Sequence, residues 1–287
     1  MWAPLRSPAL RPPRDNIAAP VLPPRLRWLR PEGAQERAER APVLAELTAA
    51  GPVLVHFFDF AQLNSVRTLP YVIAWERRYR DAGLATLGVH SPRFRFSGEP
   101  GALAPALERL GVVHAVADDG DYAVWHDYGC KGWPSLFLWG QGGALRWFHY
   151  GEGEYEATES AIAAELIAID KGFAPPDPLE PIRASDAADA VVVPPTEELF
   201  PGGSIDQPWD GLAALELEYA AGGAHASVDG AGELRVSVDA EPARAVVVPG
   251  PGLVDLASHP RHGAHSLRLE ADPELAVYSL SFSAGVP

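Results

Sequence analysis

Residues 51–70 read Gly-Pro-Val-Leu-Val-His-Phe-Phe-Asp-Phe-Ala-Gln-Leu-Asn-Ser-Val-Arg-Thr-Leu-Pro. The run from Val53 to Phe58 is rich in β-branched and aromatic side chains, which favours a short strand buried on both faces. After a turn, apolar residues recur three or four positions apart, as in an amphipathic helix: Val66, Leu69, Ile73 and Tyr79. Open α/β sheets commonly carry their chemistry where a strand leads into a helix, because the first helical turn presents unpaired N–H groups and a partial positive charge.

The same stretch resembles the active-site segment of the thioredoxin superfamily, and it is most similar to the TlpA-like and DipZ-like (redoxin, AhpC/TSA-type) thiol–disulfide oxidoreductases. That family has Phe-Trp-Thr-Tyr-Thr-Cys-X-X-Cys-X-Arg-Thr-Leu-Pro here. This chain keeps Phe57 and the run from Arg67 to Pro70. Gln62 and Ser65 stand where the two cysteines belong, with Leu63 and Asn64 between them. Neither side chain has a thiol, so dithiol chemistry is excluded at these positions.

The resemblance continues at spaced points from Ala19 to about Ile169. It is carried by Gly88-Val-His-Ser-Pro92, Asp119-Gly-Asp-Tyr-Ala-Val-Trp125, Tyr128-Gly-Cys-Lys-Gly-Trp-Pro134 and Phe148-His-Tyr-Gly-Glu-Gly153. It implies a thioredoxin-like domain, a central mixed sheet flanked by helices, with an edge strand or hairpin formed by residues 19–29. It also implies a cis-proline at Trp133-Pro134, facing the site that has lost its cysteines.

After residue 172 the composition and the predicted secondary structure of the chain change. Residues 173–194 are rich in Pro, Ala and Asp and predict a linker. Beyond them, short alternating apolar and polar runs separated by Gly-rich turns predict an all-β sandwich over residues 195–287. This half resembles the jelly-roll domain, similar to carbohydrate-binding modules, of DipZ-like proteins. We therefore predict four segments: a Pro/Arg-rich arm (1–18), a thioredoxin-like domain (19–172), the linker and a β-sandwich domain.

Composition narrows the range of functions. The 287 residues are 47% hydrophobic and 21% charged, typical of a globular protein, with a formal net charge of −15. Nucleic-acid binding is disfavoured, because phosphates require a basic surface. No apolar run reaches the length of a membrane span, and the proline- and arginine-rich start does not read as a signal peptide. These features predict no membrane partner and a cytoplasmic location.

Two candidate groups carry chemistry near the altered motif. Ser65 has a hydroxyl but no evident activating base, so we expect it to make a capping or turn hydrogen bond. Cys130 is the only cysteine and lies on the loop before Pro134. It is either a packed small residue or a relocated thiol that reacts alone, its pKa lowered by Lys131.

The first domain also contains histidines and aspartates, which are residue types that can bind a metal ion. The histidines and aspartates of the first domain, among them His56, Asp59 and His90, have no recognised metal-ligand spacing. We predict structural hydrogen bonding for them, no metal site and no cofactor.

Three functions are compatible with these residues. The leading hypothesis is a redox-inactive thioredoxin-fold protein that binds a peptide or small molecule in the groove beside Trp133-Pro134. The second is a single-cysteine redoxin or peroxidase-like enzyme using Cys130. The third is a carbohydrate-binding protein, with Trp209 and Tyr219 as candidate exposed aromatic residues on the sandwich.

Overall fold

The structure, a computed structural model, describes residues 14–29, 42–209, 211 and 213–287. It divides into two compact units. The first comprises the described residues up to Phe58, with Thr68–Ser91 and Gly111–Leu179; the second comprises Asp59–Arg67, Pro92–Leu110 and Glu180–Pro287. The segment boundaries given above stay predictions.

The first unit is built on a seven-stranded mixed sheet with the strand order β1-β7-β6-β3-β4-β5-β2. Its strands are β1 (Arg14–Ala18), β2 (Arg27–Leu29), β3 (Val53–Phe58), β4 (Ala85–His90), β5 (Ala115–Asp118), β6 (Ser135–Trp139) and β7 (Ala144–Tyr150). Strand β3 lies at the centre, parallel to β4 and antiparallel to β6, and all six of its residues are buried. The predicted buried strand is confirmed. The edge strand expected within residues 19–29 is confirmed by β2, whereas β1, at the opposite edge of the sheet, lies in the segment predicted as an arm (1–18).

Five helices are described along the chain: α1 (Leu44–Ala50), α2 (Leu63–Tyr79), α3 (Leu103–Arg109), α4 (Ala123–Tyr128) and α5 (Tyr155–Ile169). Helix α2 carries the apolar spacing read from the sequence. Its buried residues Tyr71, Val72 and Trp75 join a core cluster with α5 and β6. A second cluster, which contains Phe57, Phe137 and other residues of the central strands, also belongs to the first unit. The α/β character predicted for this part of the chain is confirmed.

The second unit contains a five-stranded antiparallel sheet in the order β10-β9-β11-β8-β12. Its strands are β8 (Leu215–Asp229), β9 (Gly232–Val238), β10 (Arg244–Val248), β11 (Gly252–Ala271) and β12 (Ala276–Ser283). The predicted all-β domain is confirmed. Strands β8 and β11 are far longer than the runs predicted for them, Leu215 to Tyr219 and His265 to Leu269. The pairing of β11 with β8 shifts register twice, between Asp255 and Ala257 and between Ser258 and Gly263, with the extra residues on β11, and such irregularities let a long strand bend around one core.

No helix in the described part of the chain is long and apolar enough to cross a bilayer.

Candidate functional site

The turn between β3 and α2 is held by side-chain hydrogen bonds to the backbone. Gln62 precedes helix α2, and its Oε1 accepts a hydrogen bond of 2.8 Å from the N–H of Ser65. The Oγ of Ser65 accepts one of 3.2 Å from the N–H of Asp59. The structure thus assigns the cap to Gln62 and a turn hydrogen bond to Ser65. Both polar groups at the positions that the resemblance gives to cysteines satisfy backbone donors.

Asp59 organises the start of this turn, which confirms the structural hydrogen bonding predicted for it, although the sequence did not indicate its partners. Its carboxylate is fully buried and accepts hydrogen bonds from the N–H groups of Ala61, Arg93 and Phe94 and from the hydroxyl of Ser97. A buried carboxylate is stable only when such donors surround it. Asp59 therefore ties the turn to the loop that follows β4. The signal available in the sequence was an acid directly after a fully apolar strand.

Further contacts within the second unit cover the turn. The hydroxyl of Ser227 on β8 donates a hydrogen bond of 2.8 Å to the carbonyl of Ala61. The ring of Phe96 lies 4.9 Å from that of Tyr278 between centroids. Ala61, Leu63 and Ser65 are at most 4% exposed. The turn offers solvent little beyond Gln62 and Asn64, which are partly exposed.

The Trp133-Pro134 segment belongs to the first unit, and its peptide bond is cis, as the resemblance implied. The indole Nε1 of Trp133 donates a hydrogen bond of 2.7 Å to the carbonyl of Ser91. Its ring lies 4.3 Å from that of Trp125. These two contacts fix a half-buried aromatic surface next to the proline.

Asp119 stabilises this aromatic surface through hydrogen bonds to the residues that position it. It is 1% exposed and accepts hydrogen bonds from the N–H groups of Val124 and Trp125, at the start of α4, and from the hydroxyl of Ser91. Burial raises the pKa of Asp119, although these three hydrogen bonds oppose the rise. The same carboxylate thus caps the helix that carries Trp125 and positions the residue that anchors Trp133.

Cys130 lies on the same loop but is not an activated thiol. It is 8% exposed, and burial raises its pKa to about 12, helped by the negative charge of Asp119 and opposed by a hydrogen bond from Ser135. The expectation that Lys131 lowers this pKa is wrong. The physical reason is that desolvation of the thiolate outweighs any nearby positive charge.

Two histidines of the first unit are buried without hydrogen bonds, so the structural hydrogen bonding predicted for His56 and the other histidines is wrong for both. His56 on β3 and His114 before β5 are 0% and 4% exposed, and their ring nitrogens have no partner among the described residues. Burial lowers the pKa of His56 to about 3, helped by His114, and burial with the charge of Arg80 lowers that of His114 to about 4. Both rings are neutral at physiological pH. In the described part of the chain, no three or more His, Cys, Asp or Glu side chains lie close enough together to hold a metal ion.

The aromatic residues considered for carbohydrate binding are not exposed. Tyr219 is 3% exposed and stacks on Phe282 in the core of the second unit. Trp209 packs partly buried against the same core. Of the two candidates for the third hypothesis, Tyr219 is therefore not available as an exposed aromatic residue, and Trp209 is only partly exposed.

Comparisons with known proteins agree with the resemblance. No family model matches the chain. The chain is 27% identical over 267 residues to protein DipZ of Mycobacterium bovis, covering 80% of this chain and 38% of DipZ. It thus spans less than half the length of that relative. It is also 31% identical over 143 residues to NHL repeat-containing protein 2 of Gallus gallus, covering 49% of this chain and 19% of that protein.

Some solved structures also match part of this chain. A thiol-disulfide isomerase from Corynebacterium glutamicum matches 52% of this chain and 96% of its own, with a TM-score of 0.41 and 20% identity. A thioredoxin-like superfamily protein matches 55% of this chain and 99% of its own, with a TM-score of 0.45 and 22% identity. The chain therefore combines an α/β unit built on a mixed sheet with an all-β unit, and it is similar to DipZ over 80% of its length, with Gln62 and Ser65 at the positions that the resemblance gives to the motif cysteines.

Proposed function

We propose that this chain is a thioredoxin-fold protein without thiol–disulfide activity, which binds a peptide or small molecule at the surface beside Trp133 and Pro134. The observation that carries the proposal is the use of Gln62 and Ser65 as hydrogen-bond acceptors for backbone N–H groups. The one remaining thiol, Cys130, is buried and has a raised pKa. These features disfavour attack on a disulfide, because the thiolate is the attacking species and burial of Cys130 disfavours that charged form.

The binding part of the proposal rests on Trp133. Its indole is held in place by the hydrogen bond to Ser91 and the contact with Trp125, so little side-chain freedom is lost when a ligand packs on it. Its backbone N–H and C=O make no backbone hydrogen bond to another described residue. An extended peptide can pair with such groups in the manner of an added strand.

The redox part is tested by the reduction of insulin by dithiothreitol. We expect the chain to accelerate precipitation no more than its Cys130→Ser variant does. Activity of the unaltered chain above that of Cys130→Ser would support the alternative, a single-cysteine enzyme, and would overturn the proposal.

The binding part is tested with carboxymethylated insulin B chain as an unfolded peptide probe. We expect saturable binding that Trp133→Ala weakens by about tenfold or more, the loss typical of an aromatic anchor. Trp209→Ala, which removes a tryptophan from the second unit, serves as the matched control. Equal affinities of the two variants would exclude the surface beside Trp133 for this class of ligand.

A cytoplasmic location stays a prediction. It agrees with a chain whose single buried cysteine makes no disulfide.

A further inference from the structure

The second unit contains an aligned serine, histidine and aspartate that neither the resemblance nor the comparisons account for. His225 lies on β8 and directly faces Asp255 on β11, with 2.7 Å between its Nδ1 and the carboxylate Oδ1. On the other side, its Nε2 lies 3.1 Å from the Oγ of Ser283 on β12. Three neighbouring strands therefore hold the three side chains in one continuous row.

The protonation of this row follows from its hydrogen bonds. The side chain of Asp255 is 83% exposed. Its hydrogen bond to His225 keeps the carboxyl pKa below its usual range, and the positive charges of Arg67 and Arg183 contribute. An ionised carboxylate only accepts hydrogen bonds, so Nδ1 carries a proton and donates it to Asp255. In the neutral imidazole with this tautomer, Nε2 carries the lone pair and accepts the hydroxyl proton of Ser283. This is the direction that general-base activation of a serine requires.

The close approach of Ser283 to His225 depends on a glycine. A Cβ atom at Gly223 would lie 2.8 Å from Ser283 Oγ, 2.9 Å from the carbonyl oxygen of Ala257 and 3.3 Å from His225 Nε2. At contacts under 3.0 Å the neighbouring atoms must shift, and a shift of the backbone carbonyl is costly, so the serine side chain is the group that moves more easily. Any other residue at position 223 would therefore disturb the row at the serine end.

Neighbouring serines on the same face of the sheet have other partners. Ser281 donates to the carboxylate of Glu198, Ser227 donates to the carbonyl of Ala61, and Ser279 donates to Ser227. Among these described serines, Ser283 is the one whose hydroxyl meets an imidazole. The contact with His225 therefore sets Ser283 apart from Ser281 and Ser279, which carry the same hydroxyl group two and four residues away.

We propose that Ser283 is a nucleophile activated by His225 and oriented by Asp255, which takes an acyl group from small activated carboxylic esters. His225 and Ser283 are 7% and 5% exposed, and this limited access favours small acyl groups such as acetyl. The site lies in the second unit and is independent of the binding function proposed above.

The reaction balances without any added cofactor. As Ser283 Oγ bonds to the carbonyl carbon of the ester, its proton passes to His225 Nε2. The carbon–oxygen bond to the alcohol then breaks, and the leaving oxygen takes that proton. Water repeats the sequence on the acyl-serine, with Nε2 again as the base, and releases the carboxylic acid. Asp255 stabilises the transient imidazolium without itself taking the proton.

The test exposes the full chain to p-nitrophenyl acetate and locates the acetyl group by mass spectrometry of the peptide that contains Ser283. We expect acetylation at Ser283 in the unaltered chain and in the control Ser281→Ala, which removes a hydroxyl from the same face. Ser283→Ala should abolish the label at this peptide. His225→Gln should slow acetylation by about a hundredfold, the usual size of a general-base contribution.

Gly223→Ala provides a variant that removes no reactive group. We expect it to slow acetylation of Ser283 as the added methyl group separates Oγ from Nε2. Near-ultraviolet circular dichroism of each variant checks that the fold is retained. Absence of acetyl at Ser283, or equal rates in the unaltered chain and a folded His225→Gln variant, would overturn the proposal.

Discussion

Gln62 and Ser65 place an amide and a hydroxyl at the positions that the resemblance gives to a pair of thiols. A thiolate at a helix start is stabilised by the unpaired N–H groups there. Here the N–H of Ser65, in the first turn of α2, donates to Oε1 of Gln62, while the N–H of Asp59, which precedes the helix, donates to Oγ of Ser65. One donor of the first helical turn is therefore satisfied by the amide, and neither position carries a thiol.

The raised pKa of Cys130 predicts that this single thiol reacts slowly in the folded chain. A shift from 9.0 to about 12 reduces the thiolate fraction at neutral pH by about a thousandfold. We expect the folded chain to react with a disulfide reagent such as DTNB at pH 7.5 at least about a hundredfold more slowly than the chain in urea. The unfolded sample also verifies that one thiol per chain is available. Comparable rates in the two states would show that the thiol is open to solvent.

Asp59 gives a prediction for the turn between β3 and α2. Asp59→Ala would leave the N–H groups of Ala61, Arg93 and Phe94 buried without their acceptor. We expect the free energy of unfolding to fall by about 3 kcal/mol, since each unpaired buried donor costs about 1–3 kcal/mol. Urea unfolding measures the loss. Asp81→Ala, at an exposed position, is the control, and an equal effect of both variants would refute this role for Asp59.

The elements that sequence reasoning located are those with a strong period or a clear stop signal. Strand β3 and helix α2 combine a continuous apolar run with a helical repeat, and their limits agree closely with the structure. Strand β8 was underestimated, because it continues through Ala220-Ala-Gly-Gly-Ala, where small residues show no alternation. Packing against two neighbouring strands, which local sequence does not record, extends it.

The candidate sites also differ in whether they could be predicted from the sequence. The altered motif and the cis-proline could be predicted because the residues that define them are contiguous in sequence. The row of Asp255, His225 and Ser283 could not, because its members are 30 and 58 residues apart and meet only through strand register. Asp59 was noted as a candidate, but its acceptor role depends on a loop more than 30 residues away.

For the whole molecule, the two buried histidines predict a loss of stability in acid. The pKa values of His56 and His114 lie below the ordinary 6.5, at about 3 and about 4 in the folded state. The unfolded chain therefore binds more protons as the pH falls. Their contribution to stability is complete above pH of about 7 and is lost progressively below about 6.5, by roughly 2 kcal/mol for each histidine at pH 5.

This dependence can be measured by urea unfolding at pH 8 and at pH 5. Every tryptophan except Trp209 precedes residue 150, so tryptophan fluorescence reports mainly on the first unit. The ring of His56 stacks on Phe58 at 5.1 Å in an apolar setting, which a phenyl ring can also fill. We expect His56→Phe to reduce the loss of stability between the two pH values by roughly 2 kcal/mol. His126→Gln removes an exposed histidine and should leave the loss unchanged. If His56→Phe and the unaltered chain lose the same stability on acidification, His56 is not held neutral by burial, and the acid sensitivity has another source.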